Sequence, residues 1–367
     1  MEKQLLPFRL RVGEMLWSKI LQPYLFDRDA EKTHLFTIRS LKRIQELGLL
    51  WVLKLFYCSP SFHNRQVCVA GVYWRNPVGL AAGFDKHGEI LPALDALGFG
   101  SVEIGTVTPR PQKGNDLPRI FRYPELKAII NRCGFNSDGA NVVAERIKKV
   151  HLLPFSRWSG SMPIGISIGK NKETPDNRAV DDYLEAFRLV APILRPWCDW
   201  VKINISSPNT PNLRNFFFCL HDFLDAFMEE ARLICRTSAP PFILKIPPDN
   251  LNAQQLEDIV KTAARNGFAG IEATNTTISQ EIKCRYGLQD VAGGLSGEPL
   301  RSLSTQILAQ LRKPALSLGL DLIGVGGISR GEHAVEKREA GARAVQVYTG
   351  LVFRGPLLVH EILEAWS

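Results

Sequence analysis

The chain reads as an α/β protein, a (β/α)8 TIM barrel with an N-terminal amphipathic helical hood. Three observations predict this. Eight short apolar runs, each followed by a polar or glycine-rich loop, recur from Asn76 towards the C-terminus, in a span close to the ~250 residues typical of such barrels. The competing open, doubly wound sheet usually carries fewer strands and a G-x-G-x-x-G at its first crossover, and no such fingerprint occurs. Residues 1–57 differ in texture, with apolar residues at helical spacing. The expected division is a helical segment over 1–57 and a barrel domain over 58–367.

In the front segment Leu5, Leu6, Phe8, Val12, Met15, Leu16 and Ile20, then Leu35, Ile38, Leu41, Ile44 and Leu47, recur on helical faces with basic residues between them. Ten Lys/Arg against six Asp/Glu leave +4 here, half of the chain's +8. Such helices suit a cap packed on the main domain or a position in the headgroup region of an anionic membrane. The longest apolar run, 47–57, is broken by Lys54 and is about half the ~20 residues of a spanning helix. No small-residue cleavage site follows an apolar region, which argues against a secretory signal.

The barrel strands are expected at 78–82, 101–104, 164–168, 200–205, 242–246, 270–273, 322–325 and 344–347. Helices are expected at 139–150, 180–194, 220–235, 252–266 and 302–311. Hydrophobic content of 45% and charged content of 22% exclude a disordered chain. Seven cysteines, with no C-x-x-C and no Cys/His pair at metal spacing, point to reduced thiols and no metal site. The positive net charge suits a negative partner, but no Lys/Arg block with interleaved aromatics appears, so nucleic acid is not expected.

In this fold chemistry sits in loops after the C-terminal ends of strands. The loop that organises the rest is 201–214, VKINISSPNTPNLR, where an alternating strand delivers Ser206, Ser207 and Asn209 into a segment stiffened by Pro208 and Pro211. Other strand ends carry Gly83 to Lys86, Thr106, Lys245, and Asn275 with Thr276, while the long second loop carries Asn131 and Asn136. Asn side chains both donate and accept, so a ring of them reads the edge of a planar imide or amide. Lys86 and Lys245 supply positive charge. After the seventh strand comes Gly324-Val325-Gly326-Gly327, and after the eighth Tyr348-Thr349-Gly350, where loops of this fold bind phosphate. A phosphate-anchored planar cofactor beside an amide-lined ligand suggests flavin mononucleotide and hydride transfer, because side chains alone cannot accept hydride.

NPVGLAAGFDK (76–86), GSVEIGTVTPRPQKGN (100–115), INRCGFNS (130–137), NISSPNTP (204–211), ATNTT (273–277), GGLSGEPL (293–300), IGVGG (323–327) and VQVYTG (345–350) together resemble class 2, quinone-dependent dihydroorotate dehydrogenase. LFDRDAEKTHLFT (25–37) extends the likeness to the front helices. The resemblance implies an FMN barrel that oxidises dihydroorotate to orotate in pyrimidine (UMP) synthesis and passes electrons to a membrane quinone, ubiquinone or menaquinone, through the hood. It implies Ser207 as the base for C5 while hydride leaves C6 for the flavin, with Thr210 and Phe135 beside it. The soluble class 1 relatives carry a cysteine where Ser207 stands.

The same resemblance assigns Lys86, Asn131, Arg132, Cys133, Gly134, Phe135, Asn204, Asn209, Asn275 and Thr276 to the substrate. It assigns Ala81, Ala82, Gly83, Thr106, Asn131, Ser167, Asn204, Lys245, Thr274, Gly297, Gly327, Tyr348 and Thr349 to FMN, and His34, Arg122 and Tyr348 to the quinone. Peripheral attachment to the cytoplasmic face of a bacterial inner membrane is expected, with a mitochondrial inner membrane as the alternative, and a monomer. Ser167 stands where the family has Asn, Asn212 where it has Gly, and Phe216, Phe217 and Phe218 where a Leu-Gln pair is usual. Glu272, a charge within the sixth strand, must be paired or at the rim. Two rivals stand beside this reading: a phosphate-binding barrel lyase or isomerase with Lys245 as a Schiff base, and an inactive barrel that docks on membranes through its basic front end.

Overall fold

A computed structural model describes residues 6–58, 65–152, 162–194, 197–209, 220–235 and 239–366. Eight parallel strands close into a barrel: Val78–Leu80, Ser101–Val107, Ile164–Ile168, Trp200–Asn204, Phe242–Ile246, Gly270–Ala273, Asp321–Val325 and Ala344–Val347. Each pairs with its sequence neighbour, and the eighth returns to the first. These are the eight expected runs, with ends moved by one to three residues at four of them. They form because both faces of each strand are covered, by the barrel interior on one side and by helices such as Ala179–Val190 and Leu220–Cys235 on the other.

Several short elements escape periodicity. Val67–Val69 and Val72–Trp74 form an antiparallel hairpin under the barrel. Ile120–Tyr123, Ala128–Asn131 and Gly294–Gly297 form an antiparallel sheet from the loops at the opposite end. Runs of three or four residues hold too few alternations to separate from loop.

The hairpin plugs the floor. Trp74 stacks on Trp200 with ring centroids 5.5 Å apart and planes at 25°. A Cβ on Gly165 would stand 1.9 Å from the Trp200 ring, so this strand position has room only for glycine.

The front segment folds into helices Phe8–Met15, Gln22–Phe26, Ala30–Glu46 and Leu50–Tyr57, the first two joined by a π-helical turn at Leu16–Leu21. Asp29 caps the longest by accepting from the N–H groups of Glu31 and Lys32. Leu10, Leu25, Ile38, Leu53 and Tyr57 are buried inward. Polar ties hold the hood to the barrel: Glu31 takes a bidentate Arg119, Lys42 donates to Glu89 at 2.9 Å, and Gln22 donates to the Phe353 carbonyl at 2.7 Å. The outward side keeps large apolar residues, with Phe8 75% and Trp51 57% exposed beside Met15, Ile20, Leu35 and Leu47. The helices are packed on the barrel as a cap, and their outward side presents an apolar face. Among the described residues no helix is long and apolar enough to cross a membrane.

Truncating the floor in Trp74→Ala should cost about 3–5 kcal/mol. Urea unfolding would measure it, and a loss below 1 kcal/mol (about the smallest cost of a typical core truncation) would show that the plug is dispensable.

Candidate active site

Strand ends and the small upper sheet enclose a cleft of about 1170 Å³, its solvent mouth included. Ala81, Ala82 and Gly83 enter from the first strand, Thr106 from the second, Asn204, Ser207 and Asn209 from the fourth, and Lys245 from the fifth. Thr274, Asn275 and Thr276 follow the sixth, Gly326 and Gly327 the seventh, Tyr348 and Thr349 the eighth. Gly297 and Asn131 come from the upper sheet, with Cys133, Gly134 and Phe135 just beyond.

The amides are held by one another. Asn204 donates to Thr106 Oγ1 at 2.7 Å, and its Oδ1 accepts from Ser206 Oγ at 3.1 Å and from Asn275 Nδ2 at 3.4 Å. Tyr183, fully buried, fixes the Asn204 carbonyl at 2.6 Å. Asn209 donates to Asn131 Oδ1 at 3.1 Å, which joins the serine loop to the upper sheet. Ser207 is buried at the cavity wall, and its Oγ accepts from the Asn209 backbone N–H at 3.3 Å. Phe135 lies at φ 53°, left-handed for a bulky residue, and its ring would meet any Cβ on Gly169 at 2.9 Å. Lys86 Nζ donates to Asn136 Oδ1 at 2.5 Å.

Gly327 has φ 75°, and a Cβ there would stand 2.3 Å from the Arg301 Cα. Only glycine fits this close approach of the Arg301 backbone, and Gly326 and Gly327 line the cleft wall where loops of this fold hold phosphate. Thr349 Oγ1 meets Ser296 Oγ at 2.8 Å on the same wall.

A family model described as dihydroorotate dehydrogenase matches residues 65–366. The "Dihydroorotate dehydrogenase (quinone)" of Methylobacillus flagellatus is 45% identical over 352 residues, covering 95% of this chain and 98% of that protein. The protein of the same name from Shewanella sediminis is 41% identical, covering 96% and 99%. The chain belongs to the dihydroorotate dehydrogenase family. Its place is in class 2, the quinone-dependent branch. A crystal structure of the Eimeria tenella DHODH in complex with ferulenol superimposes with a TM-score of 0.77 at 34% identity, covering 92% of this chain and 90% of that one.

Most residues that the family resemblance singles out meet at this cleft, and some do not. Arg132 turns away, donating to the Pro118 carbonyl and lying over the Phe121 ring. Ser167 is fully buried behind the wall, its Oγ 2.9 Å from Thr106 Oγ1, so it does not line the cleft itself and touches a residue that does. Thr210, Pro211, Asn212 and Phe216 to Phe218 lie outside the described residues. Arg122 spends its guanidinium on the carbonyls of Leu25, Phe26 and Arg28, so it ties the hood down and does not line the cleft.

His34 packs edge-on against Phe84 at 5.4 Å, and Phe84 packs on Tyr348 at 5.9 Å, a chain of rings from hood to cleft. Burial, then the charges of Lys86 and His87, push His34 down to about 4 against an opposing bond to the Phe84 backbone. Ser296 and Gln346 also line the cleft; they lie within GGLSGEPL and VQVYTG, although the resemblance assigns neither a role.

His34 is thus neutral in the fold at pH values where the unfolded chain protonates it. Between the ordinary 6.5 and about 4 the unfolded state binds more protons, so stability falls as pH falls through that window. His34→Gln should flatten the pH dependence of denaturation there relative to wild type. Asp85, raised to about 6 by burial, contributes equally to both proteins and cancels. Parallel curves for the two proteins would place His34 in a solvated setting.

Proposed function

We propose that this chain oxidises (S)-dihydroorotate to orotate in UMP synthesis, with FMN as the hydride acceptor and a membrane quinone, ubiquinone or menaquinone, as the electron sink. One observation carries the reading. Ser207, four asparagines bonded in two pairs and two lysines, drawn from distant parts of the chain, converge on one cleft at the C-terminal ends of the strands.

The residues present fit FMN. The Gly326-Gly327 backbone after the seventh strand, on the cleft wall, suits its phosphate, and Lys245 and Thr106 stand on the wall that its ring system would face. Bound flavin supplies a two-electron acceptor for hydride.

The chain's own groups do the rest. Asn131, Asn204, Asn209 and Asn275 present donors and acceptors to a planar cyclic imide. Ser207 takes the C5 proton as its own hydroxyl proton passes onward to a water or a neighbouring hydroxyl. The Asn209 N–H directed at its Oγ stabilises the negative charge that builds there in transit. Burial of the loop keeps bulk water away from the reacting atoms.

A Schiff-base barrel is the weaker reading, because such a lysine must be neutral and Lys245 stands 2.6 Å from Glu272. Burial lowers Lys245 from its ordinary value while Glu103 opposes the shift.

We further propose that residues 1–57 form the membrane-associating, quinone-access unit beside a barrel domain over 58–367. The protein would act as a monomer held at the cytoplasmic face of a bacterial inner membrane. The outward apolar face of the hood and bacterial relatives support this.

Ser207→Ala should slow flavin reduction by dihydroorotate roughly 10²- to 10⁴-fold in stopped flow, with FMN retained. An unchanged rate would remove Ser207 from the role of base. Trp51→Glu should lower sedimentation with anionic vesicles while leaving reduction by dihydroorotate intact, since Trp51 is exposed on the hood and does not line the cleft. Undiminished vesicle binding would put the membrane contact elsewhere.

A further inference from the structure

Beneath the cleft, inside the barrel, lies a cluster of charges that binding and proton transfer do not use. Lys202, Glu103 and Glu272 have no solvent exposure, and Lys245 has almost none. Lys202 precedes Asn204 by two residues on the same strand, so it points to the same face one layer deeper, ~6.6 Å below the cleft wall. Lys245 stands between Asn204 and Glu272 in register.

Glu272 is shared by two ammoniums, Lys202 and Lys245, the second at 2.6 Å. Glu103 is the other partner of Lys202 and also accepts from Trp200 Nε1 at 3.3 Å and Gln346 Nε2 at 3.4 Å. The two lysines lie within ion-pair reach of Glu272 but off the hydrogen-bonding directions of its oxygens, so these contacts are Coulombic rather than directed. Gln346 Oε1 accepts from Lys202 at 3.2 Å. The cluster reaches the cleft wall at Lys245 and Gln346.

Two cations and two carboxylates sum to zero. In a water-free barrel a single uncompensated charge costs several kcal/mol, so the four groups are energetically coupled. Addition of hydride to a neutral flavin ring leaves one added negative charge on it, which nearby positive charge stabilises. A lone Lys245 would present a full positive charge to the ring. With Glu272 against it, Lys245 presents a dipole, whose field falls off faster.

We propose that Glu272, Lys202 and Glu103 are positioning residues that set the charge Lys245 presents to the cleft, and thereby hold the bound flavin at a lower reduction potential than a solitary lysine would. Glu272 subtracts from Lys245, and Lys202 in turn subtracts from Glu272. Burial lowers both lysines from their ordinary values, Lys202 to about 7, while Glu103 opposes the shift at each; below that pH Lys202 carries its proton. The inference rests on the proposed FMN site, and its test separates the two.

The experiment is a reductive titration of flavin absorbance against indicator dyes, below pH 7, on the full-length holoenzyme. Glu272→Gln should raise the two-electron reduced-to-oxidised ratio at a fixed potential about tenfold, ~30 mV. Lys202→Met should lower it by a similar factor. The double variant removes one charge of each sign and should return to the wild-type potential, and losing a whole buried pair is tolerated better than losing one member. Should Lys202→Met not fold, the rise in Glu272→Gln and its cancellation in the double variant decide the matter. Flavin bound at an unchanged potential in Glu272→Gln, or a shift that the double variant does not cancel, overturns the inference and leaves the FMN site standing. Purified wild type without flavin absorbance overturns both.

Discussion

Closing eight parallel strands on themselves sends alternate side chains into a space that water does not enter, and whatever is polar there must be satisfied from within. The fourth strand shows how this chain meets that demand. Its inward residues, Trp200, Lys202 and Asn204, stack along the barrel axis as an aromatic floor, a charged middle layer and a polar wall of the cleft. Each layer depends on the one beneath. Trp200 seals the barrel with Trp74 and donates to Glu103, Glu103 neutralises Lys202, and Lys202 shares Glu272 with the lysine at the cleft.

Rigidity in the cleft has the same origin. The asparagines bond to one another and to Thr106, Ser206 and Tyr183, so their orientations are settled before any ligand arrives. Preorganised dipoles cost no reorganisation at the moment of reaction. The hood obeys a different rule. It is tied to the barrel by polar contacts, Arg119 with Glu31 and Lys42 with Glu89, while its outer face keeps apolar groups that a water-facing helix has no reason to hold.

Much of this was legible in the chain. Eight apolar runs marked the strands because a barrel strand is covered on both faces, and helices such as Leu220–Cys235 kept the expected bounds because an amphipathic stripe encodes them locally. The small upper sheet was not legible. Its strands are too short for a period, and they form because Asn131 and Gly294 pair across a long separation. Arg132 sits within a matching motif yet points to a carbonyl outside the cleft. A motif records which residue is present, while side-chain direction follows from the packing around it.

The sequence by itself determined the strand order, the polar residues at the strand ends and the membership of Ser207, the asparagines and the lysines in one family pattern. These are properties of local periodicity and of motifs. It also required that Glu272 find a partner, without saying which. Only the tertiary structure decided that Glu272 lies between Lys202 and Lys245, that Ser167 bonds to Thr106 behind the cleft wall, and that Trp200 closes the floor against Trp74. Those pairings depend on inter-strand register and on closure of the barrel, which bring together strands that no local pattern relates.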